Sequence, residues 1–246
     1  MFTKRFIIAF ALYALSLDKT SAKPFIDGLK PCKRSDPKLE ECLLNILKQA
    51  KPQLIRGNPQ FNLPPLDPVH IPRISIGRSM QDINVTGDLF NLIANGTKSV
   101  TAKAFKVNLI KHTWDIELEI PLIMFITDFD LNVTLKALPK PIVDEGQCTG
   151  KISNSVLRLH SDTDSSDDKI KLKSVKINLN LGDVEINIIK SQNPALAQFL
   201  SKILKRNKRM VLDLVTPIVE DSAEKLLLRH GNSILSTMQI TDLLAD

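Results

Sequence analysis

The chain has 246 residues, enough for one large domain or two small ones, and a modest formal net charge of +6. Hydrophobic residues make up 43% of the sequence but aromatic residues only 5%, with one tryptophan and one tyrosine. This composition gives little support to a protein that stacks aromatic rings on nucleic-acid bases or sugars. It favours an aliphatic core or an aliphatic ligand.

Residues 1–22 are predicted to be a secretion signal. Lys4 and Arg5 form a basic start, an apolar run follows, and small residues allow cleavage before Lys23. The apolar run is too short to span a bilayer, and no later run approaches the ~20 residues that a spanning helix needs. We therefore expect a secreted, extracellular protein with one domain over residues 23–246, and no membrane insertion.

Two cysteines flank a predicted helix start, where Asp36 is a good N-cap and Pro37 suits the first helical position. Apolar residues then recur on one helical face: Leu39, Leu43, Ile46, Leu47, Ala50 and Leu54. Cys42 in the second turn is within reach of Cys32 if the chain folds back, and an oxidising compartment favours a disulfide between them. Two reduced cysteines in a cytosolic protein are the alternative. Cys148 is left over, and we expect a buried free thiol there, with an intermolecular bridge as the alternative.

Six prolines between positions 52 and 72 predict an extended connector over residues 57–73. The apolar period then changes to two, which indicates a long antiparallel meander of half-buried strands. Two strands are clearest, with the inward residues Trp114, Ile116, Leu118 and Ile120 in one and Phe129, Leu131 and Val133 in the other. Further strands are predicted at 100–110, 152–160, 170–181 and 183–190, and a turn at 145–150.

Three glycosylation sequons agree with secretion, and they begin at Asn84, Asn95 and Asn132. Asn132 falls on the outward parity of its predicted strand, where a glycan is tolerated.

Helical spacing returns in the last third of the chain. Asn193 and Pro194 predict the start of one helix, and a longer helix follows from about Asn207 to Arg229, with a kink expected at Pro217. Its wide apolar stripe needs a partner surface, which the inward faces of the strands supply. One helix, many strands and then long helices indicate a single α+β domain.

Four segments resemble the takeout and haemolymph juvenile hormone binding protein family of the tubular lipid-binding superfamily. They are residues 32–42, 57–61, 65–72 and 207–217. The resemblance implies a secreted insect protein with a single elongated domain, in which a strongly curved antiparallel β-sheet wraps a long C-terminal α-helix around an apolar channel. Ligands in the family include juvenile hormone, other terpenoids and long-chain lipids, and roles include hormone transport and biological rhythms.

One departure concerns ligand choice. The family often places a tyrosine eight residues after the strand proline, but here Pro121 is followed at that distance by Phe129. A hydroxyl that could bind an epoxide or ester is missing, so an apolar ligand is a safer expectation than juvenile hormone itself.

We expect a non-catalytic carrier of a small hydrophobic ligand that uses no cofactor or metal and binds no nucleic acid. The residues expected to line the cavity are Trp114, Ile116, Leu118, Phe129, Leu131, Val133, Phe199, Leu200, Ile203, Met210 and Leu214. Strand parity and the helix stripe would bring them together. The alternative is that they simply fill a core.

Other functions have weaker support. A basic cluster near the helix junction is the candidate for docking to a receptor or an anionic membrane, although a hydrated helix face is simpler: Lys202, Lys205, Arg206, Lys208 and Arg209. An esterase is disfavoured because the chain has no nucleophile-elbow or zinc-protease motif, and its four histidines are scattered. The acidic run at 162–168 lacks the glycine and glutamate of a calcium loop and predicts a solvated turn.

Overall fold

The computed structural model describes residues 28–59, 63–136, 138–165 and 169–246. The predicted signal, residues 1–22, lies outside this part of the chain, as do the side chains of six residues of the first C-terminal helix, among them Phe199, Leu200 and Ile203. The strands are β1 (Cys32–Lys33), β2 (Val69–Ser79), β3 (Ile83–Asn95), β4 (Thr101–Asn108), β5 (Thr113–Leu135), β6 (Ile142–Asp164), β7 (Lys171–Asn180), β8 (Asp183–Ser191) and β9 (Leu244–Ala245). The helices are α1 (Leu39–Arg56), α2 (Pro194–Arg206), α3 (Lys208–Leu235) and α4 (Ile240–Leu243), and a 3-10 turn covers Thr97–Ser99.

Two strands of 23 residues, β5 and β6, form the centre of a seven-stranded antiparallel sheet. One half of β5 pairs with β4 and the other half with β3, while β6 pairs with β7 along one half and with β8 along the other. Different strands therefore flank the two ends of the central pair. With the natural twist of strands, the sheet curls into a half-barrel.

The apolar face of β5 changes parity at Pro121. Apolar side chains that are buried or half-buried are even-numbered up to Ile120 and mainly odd-numbered from Ile123 onwards. The same change occurs on β6 near Asn154, which has a φ of 50° and lies opposite Pro121. Two apolar patterns that read as separate strands in the sequence therefore belong to one continuous strand.

The predicted turn over residues 145–150 is wrong, because these residues lie inside β6. Neighbouring groups approach both glycines too closely for a side chain. A Cβ on Gly146 would lie 2.0 Å from the carbonyl oxygen of Lys190, and a Cβ on Gly150 would lie 2.2 Å from the Phe125 ring. The two glycines therefore permit close packing within the sheet.

The predicted connector is also too long, since β2 begins at Val69 rather than after residue 73. Neither β2 nor β3 was predicted from the sequence, and the sheet is not a simple meander, because β3 and β4 both pair with β5. Pro72 is tolerated within β2 because β2 is an edge strand, where one side of the backbone needs no ladder hydrogen bond.

Helix α1 packs through the predicted face, with Leu39, Leu43, Ile46 and Ala50 buried. It begins at Leu39, two residues later than the predicted first helical residue Pro37, although Asp36 still accepts a hydrogen bond from the backbone N–H of Lys38 at 2.8 Å. The predicted disulfide between Cys32 and Cys42 is present, with the two Cα atoms 5.9 Å apart. Next to it, β1 pairs in parallel with β9 and so joins the two ends of the domain.

The long helix α3 starts after Asn207, as predicted, and continues through Pro217 to Leu235. Its buried residues Val211 and Leu235 join the main core, which the central strands and β7 complete. The predicted fold class is confirmed: an α+β domain in which a curled antiparallel sheet meets a long C-terminal helix. No described helix is long and apolar enough to cross a membrane.

Candidate ligand-binding site

Polar side chains of α3 fix the helix to the free edge of β7. Among the described strands, β7 pairs with β6 alone, so the N–H groups on its other side need partners. Glu220 and Glu224 accept hydrogen bonds from the N–H groups of Leu179 at 2.8 Å and Ile177 at 3.0 Å. Asn232 binds both the N–H and the carbonyl oxygen of Leu172, at 2.8 and 3.0 Å. We call this contact the closed seam.

At the other edge of the sheet, a cleft of about 430 Å³ separates β2 from α3, and we call it the open seam. Its apolar lining consists of Ile71, Ile74, Ile76, Ile218 and Leu226. Arg78 of β2 donates a hydrogen bond across the cleft to the carboxylate of Asp221 on α3. The helix is therefore bound to the backbone along β7, whereas side chains join it to β2.

The charged groups along the open seam are not balanced. Arg73 pairs with Asp88 on the outer face of the sheet at 2.7 Å, and this bond together with one from Ser75 lowers the pKa of Asp88 to about 2. Arg78 pairs with Asp221. Lys225 also lines the cleft, and no carboxylate of the described residues lies within ion-pair distance of it. One positive charge is thus left over at the opening.

The predicted cavity residues whose side chains are described fall into different clusters. Leu131, Val133 and Leu214 do come together, around a small cluster that includes Val85 and Ile142. At the other end of β5, Trp114 and Ile116 pack against a cluster built on buried residues of α1, and Trp114 and Leu118 also pack against the main core.

The other predicted residues have different surroundings. Met210 is half-buried, and Phe129 is buried with the para carbon of its ring over Gly146. The side chains of Phe199, Leu200 and Ile203 lie outside the described residues. The assignment of all eleven residues to a ligand remains a prediction.

The β2 residues that line the open seam were missed by sequence reasoning. A usable signal exists, because Ile74, Ile76 and Arg78 alternate with the exposed residues Ser75, Gly77 and Ser79. The prolines just upstream concealed it by favouring a connector.

Two chemically distinctive side chains lie on the inner face of β6. Buried Asp144 accepts a 2.6 Å hydrogen bond from the Ser191 hydroxyl, which in turn accepts the N–H of Asn193 just before α2. The second carboxyl oxygen of Asp144 has no partner among the described residues. Cys148 is a free, buried thiol, and burial, with a smaller contribution from Asp128, raises its pKa to about 11. Such a thiol is a poor nucleophile.

The surface predictions can also be located. All three sequon asparagines, Asn84, Asn95 and Asn132, are exposed. The residues of the basic cluster are exposed too, but Lys208 pairs with Asp183 at 2.9 Å and Arg209 approaches Asp213 at 3.8 Å. Among the described residues, no group of three His, Cys, Asp or Glu side chains could hold a metal ion.

The long helix is fixed to one edge of the half-barrel, and a cleft with both apolar and charged lining residues lies along the other edge. This arrangement defines a class of α+β protein suited to binding molecules that are largely apolar. The chain belongs to the haemolymph juvenile hormone binding protein family, whose model matches residues 7–245.

The comparison with solved structures concerns the fold alone. The crystal structure of Takeout 1 from Epiphyas postvittana has a TM-score of 0.72 and 16% sequence identity, over 89% of this chain and all of that one. A crystal structure of lipopolysaccharide binding protein has a TM-score of 0.33 and 10% identity, over 79% of this chain and 40% of that one. No curated protein sequence matches the chain at a significant level.

Proposed function

We propose that the protein is a secreted, non-catalytic carrier of a small hydrophobic ligand such as juvenile hormone, another terpenoid or a long-chain lipid. The ligand lies between the curled sheet and α3. The observation that carries this proposal is the cleft between β2 and α3, whose lining includes five large apolar side chains, in a chain whose family binds hydrophobic ligands.

The energetics are sufficient without a polar anchor. Burying about 400 Å² of apolar ligand surface contributes about 10 kcal/mol at roughly 25 cal/mol/Å². Ordering the ligand and the protein costs at least about 4 kcal/mol, which leaves at most about 6 kcal/mol and a dissociation constant of roughly 40 μM for a ligand of this size.

Secretion has three supports on the chain. They are the predicted signal over residues 1–22, the disulfide of Cys32 with Cys42, and three exposed sequons. Disulfides persist in oxidising compartments and are rare in the cytosol.

A catalytic role has less support, because the buried Cys148 thiol is held in its protonated form by its raised pKa. Docking to an anionic membrane through the basic cluster is also unsupported, since Lys208 and Arg209 already face acidic residues of the same chain.

A single substitution tests the placement of the ligand. Leu131→Trp enlarges a side chain of the cluster against which Ile76 of the cleft packs, so we expect it to displace Ile76 into the cleft and weaken binding of an apolar fluorescent probe at least about tenfold. The matched control is Leu122→Trp, which adds the same side chain at an exposed position of the same strand. A folded Leu131→Trp protein with unchanged probe affinity would refute the placement. Independently of this test, mass spectrometry of lipid extracted from the secreted protein would identify the ligand.

A further inference from the structure

We propose that the open seam binds the carboxylate of a long-chain fatty acid, with Arg78 and Lys225 holding the head group and the β2 isoleucines contacting the chain. This inference rests on the proposed carrier function and narrows it to one class of ligand. It also assigns specificity to two side chains of the β2–α3 cleft.

The position of Arg78 is the first support. Arg78 shares the parity of Ile74 and Ile76 on β2, and its side chain is only 31% exposed, so its guanidinium lies at the inner rim of the cleft. A guanidinium has five N–H donors, and Asp221 can occupy at most part of them. The remaining donors match the two oxygens of a second carboxylate, which Arg binds in a planar fork.

Lys225 supplies the second support. It lies one helical turn after Asp221 on α3 and lines the same cleft, but it has no ion-pair partner among the described residues. A bound carboxylate between Arg78 and Lys225 would balance the excess positive charge of the opening.

The helix also separates its charges by side. Glu220 and Glu224 bind the β7 backbone at the closed seam, so their carboxylates are turned away from the cleft. On the cleft side, Asp221 is the single carboxylate among the lining residues. This distribution attracts an anion to the open seam and does not favour a cation.

The lining explains why the anion should carry a hydrocarbon chain. Ile74, Ile76 and Ile218 lie directly beside the charged groups, so a chain attached to the carboxylate would contact apolar side chains at once. A flat anionic lipid surface fits the site poorly, because the charged groups line a concave cleft.

The experiment compares palmitic acid, methyl palmitate and hexadecanol as competitors of an apolar fluorescent probe at neutral pH and low salt. We expect the acid to displace the probe at about tenfold lower concentration than the ester, since hydrogen bonds to charged groups are the stronger ones. Lys225→Gln should weaken binding of the acid about threefold or more and leave binding of the ester unchanged. Added salt should reduce the preference for the acid.

The control is Lys151→Gln, an identical charge change on the exposed face of β6. Arg78→Gln should weaken binding of the acid further. Because this substitution also breaks the contact with Asp221, the thermal midpoint of the variant is measured as well. Lys225 has no ion-pair partner in the described part of the chain, and its variant therefore remains informative if Arg78→Gln does not fold.

Two results would overturn the inference while leaving the carrier intact: equal competition by acid and ester, or equal effects of Lys225→Gln and Lys151→Gln. Lys225-dependent sedimentation with phosphatidylglycerol vesicles, without competition by the free acid, would also overturn it. If none of the three lipids displaces the probe, the proposed carrier function itself fails.

Discussion

The closed seam should contribute strongly to stability, and Asn232→Ala tests this. The Asn232 amide satisfies both backbone groups of Leu172, a residue only 9% exposed. Alanine would leave a buried N–H and a buried carbonyl oxygen unpaired, each costing about 1–3 kcal/mol. The better helix propensity of alanine returns about 0.5 kcal/mol. We therefore expect the free energy of unfolding to fall by about 2–5 kcal/mol.

Urea unfolding followed by circular dichroism measures this change, with the slope of the transition compared between variants. Asn178→Ala is the matched control, because Asn178 is an exposed residue of the same strand β7. We expect the control to change stability by no more than about 0.5 kcal/mol. If Asn232→Ala loses no more than the control, the side-chain hydrogen bonds do not hold the helix to β7, and the reasoning about the seam is wrong.

Three further predictions follow from the fold. Replacing Cys32 and Cys42 together by serine should lower the free energy of unfolding by about 3 kcal/mol, since the bridge closes a short loop; equal stability of oxidised and reduced wild type would contradict this. Gly146→Ala should destabilise strongly or prevent folding, because the new Cβ would lie 2.0 Å from a backbone oxygen of β8, whereas Gly77→Ala, with open space around it, should not; thermal midpoints compare the two. Cys148 should be alkylated at pH 8 at least about a hundredfold more slowly in the folded protein than in urea, because its pKa of about 11 exceeds the usual 9.0. Since the folded-state pKa is the higher one, the protonated thiol favours the folded state below pH 9, and this contribution is lost as the pH rises through 11.

Local patterns were enough to predict the α1 disulfide, the face of α1 and the start of α3. Each depends on neighbours in sequence: Cys32 and Cys42 are ten residues apart, and Asn207 directly precedes its helix. The curled sheet was predicted from the family motifs, because composition and periodicity alone do not predict the curvature of a sheet.

The errors arose where distant chain segments decide the structure. A turn was predicted at Gly146 and Gly150 because the sequence does not show that Lys190 and Phe125 pack closely against these two glycines. Pro72 concealed β2, because only the strand order shows that β2 is an edge.

The open seam was equally hidden, because Arg78 and Asp221 are 143 residues apart. No short-range pattern connects two such positions. The candidate site depends on that contact, so it became visible only when β2 and α3 were placed side by side.

The unequal attachment of α3 has a consequence for the range of cargo. A helix bonded to the backbone along one side only can swing about that side as a hinge, so bulkier molecules need not break the hydrogen bonds that hold the fold. Amides of β7 should then exchange slowly in both the ligand-bound and the ligand-free protein, while the exchange rates of β2 amides should change when a ligand binds. Under this arrangement, a change of cargo during evolution needs new side chains on one edge strand and one helical face, and the rest of the protein can stay as it is.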